Sequence, residues 1–406
     1  MKIVLFEDSG FENLLPLTYF RPVWELRCGI YELKEKVIRH LSTSEVYFSA
    51  RQYLMDFYLA PSTVFSPAAG EEYLFLNGRL LMGTNDSEKI LSIARKEVFV
   101  SGTSIVAWRT DGRSLGQYLE RGILQDDRIL NDFSQQQVPF RLITYPWDLI
   151  ESNGVEIIND CQLSGTLGKL NGQIDPGVHI LCKDNVFLGD SVRLMPGVVI
   201  DAESGPVWID KNVQIMPQVF LRGPLAIRAD SIIKVGAKIY ENTTIGPMCK
   251  VGGEIEESVF LSYSNKQHDG FLGHSYLASW INLGADTNNS DLKNNYSPIS
   301  VMLNKQKIET GRRFLGAIIG DHSKTAINTM INTGSIIGVC CNVFGEGFPP
   351  KNVPSFSWGG SAGFQKYDFN RAVEVAKIVM ARRNISFTDN HLKLFHAVRD
   401  FIDQVE

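Results

Sequence analysis

The sequence predicts an α/β domain, then a parallel β-helix built of hexapeptide repeats, then a short C-terminal helical region. Three observations carry this. Short apolar runs alternate with mixed stretches over residues 1 to about 150. Aliphatic residues then recur every six positions, and two amphipathic segments close the chain.

In the first domain, Lys2–Phe6 reads as the opening strand, and Leu33, Val37 and Leu41 give Tyr31–Leu41 helical spacing. Val46–Phe48, Tyr73–Leu76, Val98–Val106 and Phe140–Thr144 read as further strands, with Pro61–Gly70 and Asp126–Asp132 as surface loops. The domain is expected to end near residue 150.

The β-helix is expected over 151–355. Its six-residue series runs Ile174, Ile180, Val186, Val192, Val198, then slips and resumes at Val207, Val213, Val219, Leu225. It continues at Ile233, Ile239, Ile245, Val251, and again at Ile319, Thr325, Ile331, Ile337, Val343. Each hexad forms one short face of a prism, with its aliphatic residue inward and small or turn-forming residues at the corner. Hairpins sharing a period by chance are the alternative, and four runs in register argue against it. An insert is expected over about 262–314, where His268, His274 and Asn282 break the pattern. Excursions from a solenoid tend to lie on its binding face. Over 356–406, Asp368 can cap a helix through about Arg383, and Thr388 or Asp389 a second one, together covering the open end of the coil.

Composition narrows the function. With 44% hydrophobic residues the chain can build real cores, and at −5 its charge excludes a dedicated nucleic-acid binder. The first apolar run is too short for a signal peptide, and no stretch is long enough for a membrane span. Six cysteines without a CxxC make neither a disulfide framework nor a zinc knuckle, so a reduced, cytoplasmic protein is expected. Gly359-Gly360-Ser361-Ala362-Gly363 fits G-x-S-x-G, but Pro349, Pro350 and Pro354 before it leave no strand for a nucleophile elbow.

The segment Ser264–Tyr276, continuing through Trp280-Ile281-Asn282-Leu283-Gly284-Ala285, resembles the acetyltransferase half of a bacterial family. That family is the bifunctional N-acetylglucosamine-1-phosphate uridyltransferase / glucosamine-1-phosphate N-acetyltransferase, in its divergent, Bacteroidetes-type form. Asn13–Thr18 with Arg21-Pro22, Trp147-Asp148-Leu149, Asn288–Tyr296 and Met380–Arg383 extend the resemblance over nearly the whole chain. It implies a left-handed β-helix and a homotrimer with active sites between subunits. It also implies acetyl transfer from acetyl-CoA to glucosamine 1-phosphate, then uridylyl transfer from UTP with Mg2+.

The chemistry fits. Acetylating an amino sugar needs a base near neutral pH, which histidine supplies, and N–H donors for the oxyanion. The resemblance makes His268 the base, with His274 the rival six residues on, and places Asn282 beside the substrate. Phe271, Asn288 and Asn289 join the substrate set. Lys250, Lys266, Arg312 and Arg313 are the candidate sugar-phosphate partners; Ala285, Arg382 and Arg383 are those for coenzyme A. Each basic residue also reads as a solvated surface charge. Asp286 stands where the family usually has Gly.

In the first domain, the Gly-rich basic loop of sugar nucleotidyltransferases is replaced by Glu7-Asp8-Ser9-Gly10 and Arg21-Pro22-Val23. Arg21, Arg27 and Asn77 are the candidate nucleotide partners. Asp148 is the magnesium candidate, its alternative being a helix cap ahead of Leu149-Ile150. Two other readings stay open: one half alone is active, or the chain is a trimeric sugar-nucleotide-binding scaffold.

Overall fold

The structure, a computed structural model, describes every residue except 1, 44, 59–62, 67, 69, 113–117, 121, 122 and 125. Much of Pro61–Gly70 therefore lies outside the described residues.

The N-terminal sheet has six strands in the order Ser134–Gln137, Glu97–Ser101, Ser104–Asp111, Glu72–Asn77, Lys2–Phe6, Val46–Ser49. Lys2–Phe6 is flanked by parallel partners on both sides, and its residues from Val4 to Phe6 are fully buried. That is why it reads as a continuous apolar run. Three readings need correction. Val98–Val106 is not one strand but the two arms of a hairpin turning at Gly102-Thr103. Asp126–Asp132 is a helix rather than a loop. Phe140–Thr144 makes only a single bridge, Leu80 to Leu142.

Helix Pro146–Ser164 follows, running through the boundary expected near 150. Proline at its first turn suits the helical start, and Gly165 closes it at φ 59°. Its inner face carries Leu149, Ile150 and Ile157.

The coil is the left-handed parallel β-helix expected, with three faces, each a parallel sheet. On one face the register runs Ile174, Leu194, Ile215, Ile233, Val251, Lys266, all stacked across rungs. The central hexad residues Val207, Val213, Val219, Leu225, Ile233, Ile239, Ile245 and Val251 are all buried. Only the first rung, with Ile174, is open to solvent.

The insert is shorter than expected. Rungs continue through Asn265–Lys266, Phe271–Gly273, Tyr276–Leu277 and Asn288–Asn289. The excursion proper is the segment around the hairpin Ser300–Leu303 with Gln306–Glu309. The period was hidden because polar residues occupy inward positions there. They are buried but satisfied: Ser264 Oγ donates to the Ala278 carbonyl, and Asn289 Oδ1 accepts from the Gly273 N–H at 2.9 Å.

The coil ends in the hairpin Ser357–Gly360 with Gly363–Lys366, so the G-x-S-x-G sequence is a β-turn. Helices Phe369–Ala381 and Asp389–Val405 begin at the expected caps, Asp368 and Thr388. They pack against the last rungs of the coil and against the N-terminal segment, burying Val339, Cys340 and Phe356 with Leu15, Tyr19, Phe20, Val373, Phe395 and Val398.

The two domains are joined by the segment 13–31. Arg21 pairs with Asp321 of the coil, Nη1 to Oδ2 at 2.9 Å. Tyr276 Oη accepts from the Arg27 N–H and donates to its carbonyl, both at 2.9 Å. Thr244 Oγ1 donates to the Gly29 carbonyl, and Arg228 to that of Ile30. Gly29 sits at φ 78°, and a Cβ there would lie 2.8 Å from the Glu156 carbonyl oxygen. Only glycine fits so close a crossing. Among the described residues, no helix is long and apolar enough to cross a membrane.

Candidate functional site

Two cavities on the coil hold several of the predicted residues, and they lie on different faces. The first, about 290 Å³, lies between one face of the coil and the C-terminal helices. Lys250, Asn265, Asn282 and Lys324 follow one another on successive rungs as an outward ladder. Each precedes an inward residue, so the alternation of the strand turns it to the surface. Arg382 and Arg383 close the cavity from the end of helix Phe369–Ala381, and Arg383 Nη2 donates to Asn265 Oδ1 at 2.6 Å. No carboxylate lines this cavity among the described residues. Burial lowers the Lys250 ammonium pKa, with Arg383, Lys234 and Arg382 adding to the effect. Crowded, uncompensated cations are an anion site.

The second cavity, about 370 Å³, lies between helix Pro146–Ser164 and a corner of the coil. It is lined by His274, Arg312, Arg313, Phe314 and Glu257. His274 Nδ1 lies 2.8 Å from Asp291 Oδ2, and its ring stacks on Phe314 at 5.0 Å. Glu256 joins them: one ligand atom from each of Glu256, His274 and Asp291 lies within 4.8 Å of the others. Burial raises the Glu256 carboxyl pKa, Asp291 raises it further, and His274 opposes them. A carboxylate fixes the tautomer and orientation of an imidazole, as a general base requires. Arg312 is paired with Glu151, while Arg313 extends the positive side of the cavity.

The remaining predicted residues lie elsewhere. His268 is exposed at a corner, and its imidazole makes no hydrogen bond among the described residues. Its carbonyl accepts from Lys266 Nζ at 3.0 Å. Lys266 itself points into the coil, only 1% exposed, and burial brings its pKa down to about 8. It is therefore a strut for this corner rather than a phosphate partner. Asn288 and Asn289 hold the rungs, accepting from the N–H groups of Phe271 and Gly273. The Ala285 carbonyl accepts from the Asn328 N–H, and Asp286 is exposed beside it at φ 56°.

In the N-terminal domain the candidate nucleotide partners are already engaged. Arg21 is spent on Asp321 and the Leu17 carbonyl, Arg27 on the Ile30 carbonyl and Glu32. Asn77 is fully buried and donates to Asp8 and to the Ile105 carbonyl. Asp8 pairs with Arg79, and Glu7 with Arg51. Asp148 Oδ2 accepts from the N–H groups of Thr144 and Tyr145, both at 2.9 Å, in a capping box. Both oxygens of Glu7 and of Asp8 are thus taken up by protein donors, and Asp148 Oδ2 is taken up by its cap, so the three carboxylates do not gather free oxygens as a Mg2+ ion requires.

Sequence reasoning missed Asn265, Lys324, Glu256 and Asp291. The rung register would have revealed the first two, since Asn265, Asn282 and Lys324 precede inward positions.

Residues 3–166 match a family model described as sugar nucleotidyl transferase. The matched residues span the N-terminal domain and helix Pro146–Ser164. The chain as a whole has the GlmU-like order of that domain followed by a β-helix. A bifunctional sugar-1-phosphate nucleotidylyltransferase/acetyltransferase of Sulfurisphaera tokodaii is 30% identical over 150 residues, covering 34% of this chain and 37% of that protein. The bifunctional protein GlmU of Methanococcus aeolicus is 29% identical over 193 residues, covering 47% of this chain and 46% of its own length. An uncharacterized acetyltransferase, YaiX, of Escherichia coli O6:K15:H31 is 29% identical over 167 residues, covering 41% of this chain and 73% of that protein. The chain thus spans less than half the length of the first two relatives.

Proposed function

We propose that this chain is a bifunctional transferase acting on sugar 1-phosphates. The coil acetylates glucosamine 1-phosphate from acetyl-CoA, and the N-terminal domain transfers a uridylyl group from UTP to the product. The carboxylate-free cavity of Lys250, Lys324, Arg382 and Arg383 carries the acetyl-transfer half, because the acetyl donor brings several phosphates and the charged groups lining the cavity are all cations.

In this reading His274, not His268, is the base. It alone of the two has a carboxylate partner and a cavity with arginines beside it. Its imidazole takes the proton as the amine forms the N–C bond, and the imidazolium returns that proton to the departing thiolate as the C–S bond of the thioester breaks, leaving the coenzyme thiol. The anion cavity and the His274 cavity sit on different faces of one coil, which supports a homotrimer whose neighbours bring them together.

Measuring free thiol and pyrophosphate from glucosamine 1-phosphate, acetyl-CoA and UTP tests both halves. Release of both supports the proposal; release of neither removes it. A second reading, acetyl transfer alone, is favoured by the N-terminal pairs Asp8–Arg79 and Arg21–Asp321, which engage the candidate phosphate partner Arg21 and the neighbouring Arg79. Thiol release without pyrophosphate would establish it.

A further inference from the structure

Inward of the anion cavity lies another of about 200 Å³, where the segment around Phe20–Arg27, the coil and the C-terminal helices meet. Tyr263 and Trp280 line both, so the two cavities adjoin at a shared wall. The wall they share has an unusual origin. Tyr263, Trp280 and His322 occupy one corner of the coil on successive rungs, at φ 62°, 65° and 60°. The N–H of Trp280 donates to the Ser262 carbonyl and that of His322 to the Ser279 carbonyl, which locks the rungs in register. Bulky residues rarely adopt this conformation; two earlier rungs use Asn212 and Asp230 there, with Met248 between them and Tyr263. Here three rings stack instead: Tyr263 on Trp280 at 4.1 Å and 6°, Trp280 on His322 at 6.0 Å and 9°.

His322 is 7% exposed, and its Nδ1 has no hydrogen-bond partner among the described residues. A buried ring nitrogen left unpaired calls for a polar ligand. Phe20 and Phe395 approach the same ring at 5.6 and 5.1 Å. Burial holds the His322 pKa well below the usual range, so the ring is neutral and offers one acceptor and one donor. A cavity lined by the rings of Phe20, Tyr263, Trp280 and Phe395, with an unpaired ring nitrogen, suits a heteroaromatic base, and the adjoining cations suit its phosphates.

We infer that this inner cavity holds the base of a nucleotide whose phosphates sit among Lys250, Lys324, Arg382 and Arg383. The choice of nucleotide rests on the acetyl-transfer reading: coenzyme A ends in an adenosine 3′,5′-bisphosphate group. UTP is the other source of the same chemistry.

Calorimetric titration of the full chain with adenosine 3′,5′-bisphosphate, UTP and inorganic pyrophosphate separates these. The bisphosphate is expected to bind at least about tenfold more tightly than pyrophosphate, the excess coming from base stacking. Tyr263→Asn, which keeps a residue tolerant of positive φ, and His322→Phe are each expected to erase that excess, and His322→Phe, at a position outside the anion cavity, to leave pyrophosphate affinity unchanged. An excess shown by UTP alone keeps the base site but transfers it to the triphosphate. No excess for either nucleotide in the wild type, or an excess that survives both substitutions, overturns the inference. Loss of thiol release with the excess intact would remove the acetyl-transfer reading and leave the base site standing.

Discussion

The N-terminal domain and the coil each gather cations, and they use them in opposite ways. Arg21, Arg27, Arg51 and Arg79 are buried, and each faces a carboxylate. Lys250, Lys324, Arg382 and Arg383 share a cavity lined by none. The first set fixes the domains to each other and holds the ends of the strands Lys2–Phe6 and Glu72–Asn77. The second set is left for a ligand. Residue type alone does not distinguish them; the partner does.

Ways to break the contrast follow from the largest effect. His274→Asn removes the proposed base and is expected to lower acetylation turnover by about 10²–10⁴-fold. His268→Asn is expected to stay within a few-fold of wild type. Steady-state kinetics on the two variants checks the pair, and the reverse order would return the role to His268.

Arg21→Met leaves Asp321 buried without its partner and is expected to destabilise the fold by about 3–5 kcal/mol in chemical denaturation. Arg21→Met with Asp321→Leu is expected to recover much of that loss, since replacing both members of a buried pair is close to neutral. If Arg21→Met instead leaves stability untouched and abolishes pyrophosphate release, the arginine belongs to a nucleotide site after all.

Lys266 sharpens the contrast from inside the coil. Its folded pKa, about 8, lies below the ordinary 10.5 because burial disfavours the charge. Between those values the unfolded chain binds more protons, so this group makes stability rise with pH from about 8 to about 10.5. The wild type is expected to gain roughly 3 kcal/mol over that window relative to Lys266→Met. Denaturation curves of both proteins at several pH values read this difference. Parallel curves would show that the ammonium is not desolvated.

The smallest effect is expected at the anion cavity. Lys250→Ala removes one of its four cations and should raise the KM for acetyl-CoA by about tenfold with little change in kcat, since phosphate contacts bind rather than react. A change confined to kcat would place Lys250 at the reacting centre.

Much of this fold was legible in the sequence. The six-residue period located the coil because its inward residues are aliphatic where the wall is regular. It failed at Ser264, Lys266 and Asn289, where inward polar groups are satisfied by carbonyls and N–H groups of the next rung. Nothing in the chain marks such a residue as inward. The strand Lys2–Phe6 was legible because both its faces are buried. Helix Asp126–Asp132 was not, being short and rich in charge. At the sites, Lys250, Asn282, Arg382 and Arg383 line one cavity, whereas the resemblance divided them between the sugar substrate and coenzyme A. Asp291 as partner to His274, and Asp321 as partner to Arg21, are contacts across 17 and 300 residues. Only the folded register brings them together.

The most direct test of the contrast is thiol release from acetyl-CoA and glucosamine 1-phosphate by the wild type and by Arg382→Ala/Arg383→Ala, with Arg27→Met alongside. Rapid release by the wild type, at least about tenfold lower kcat/KM in the double variant, and an unchanged rate per folded molecule in Arg27→Met are the predicted results. A double variant as fast as the wild type, or a folded Arg27→Met protein that has lost acetylation, would contradict the account.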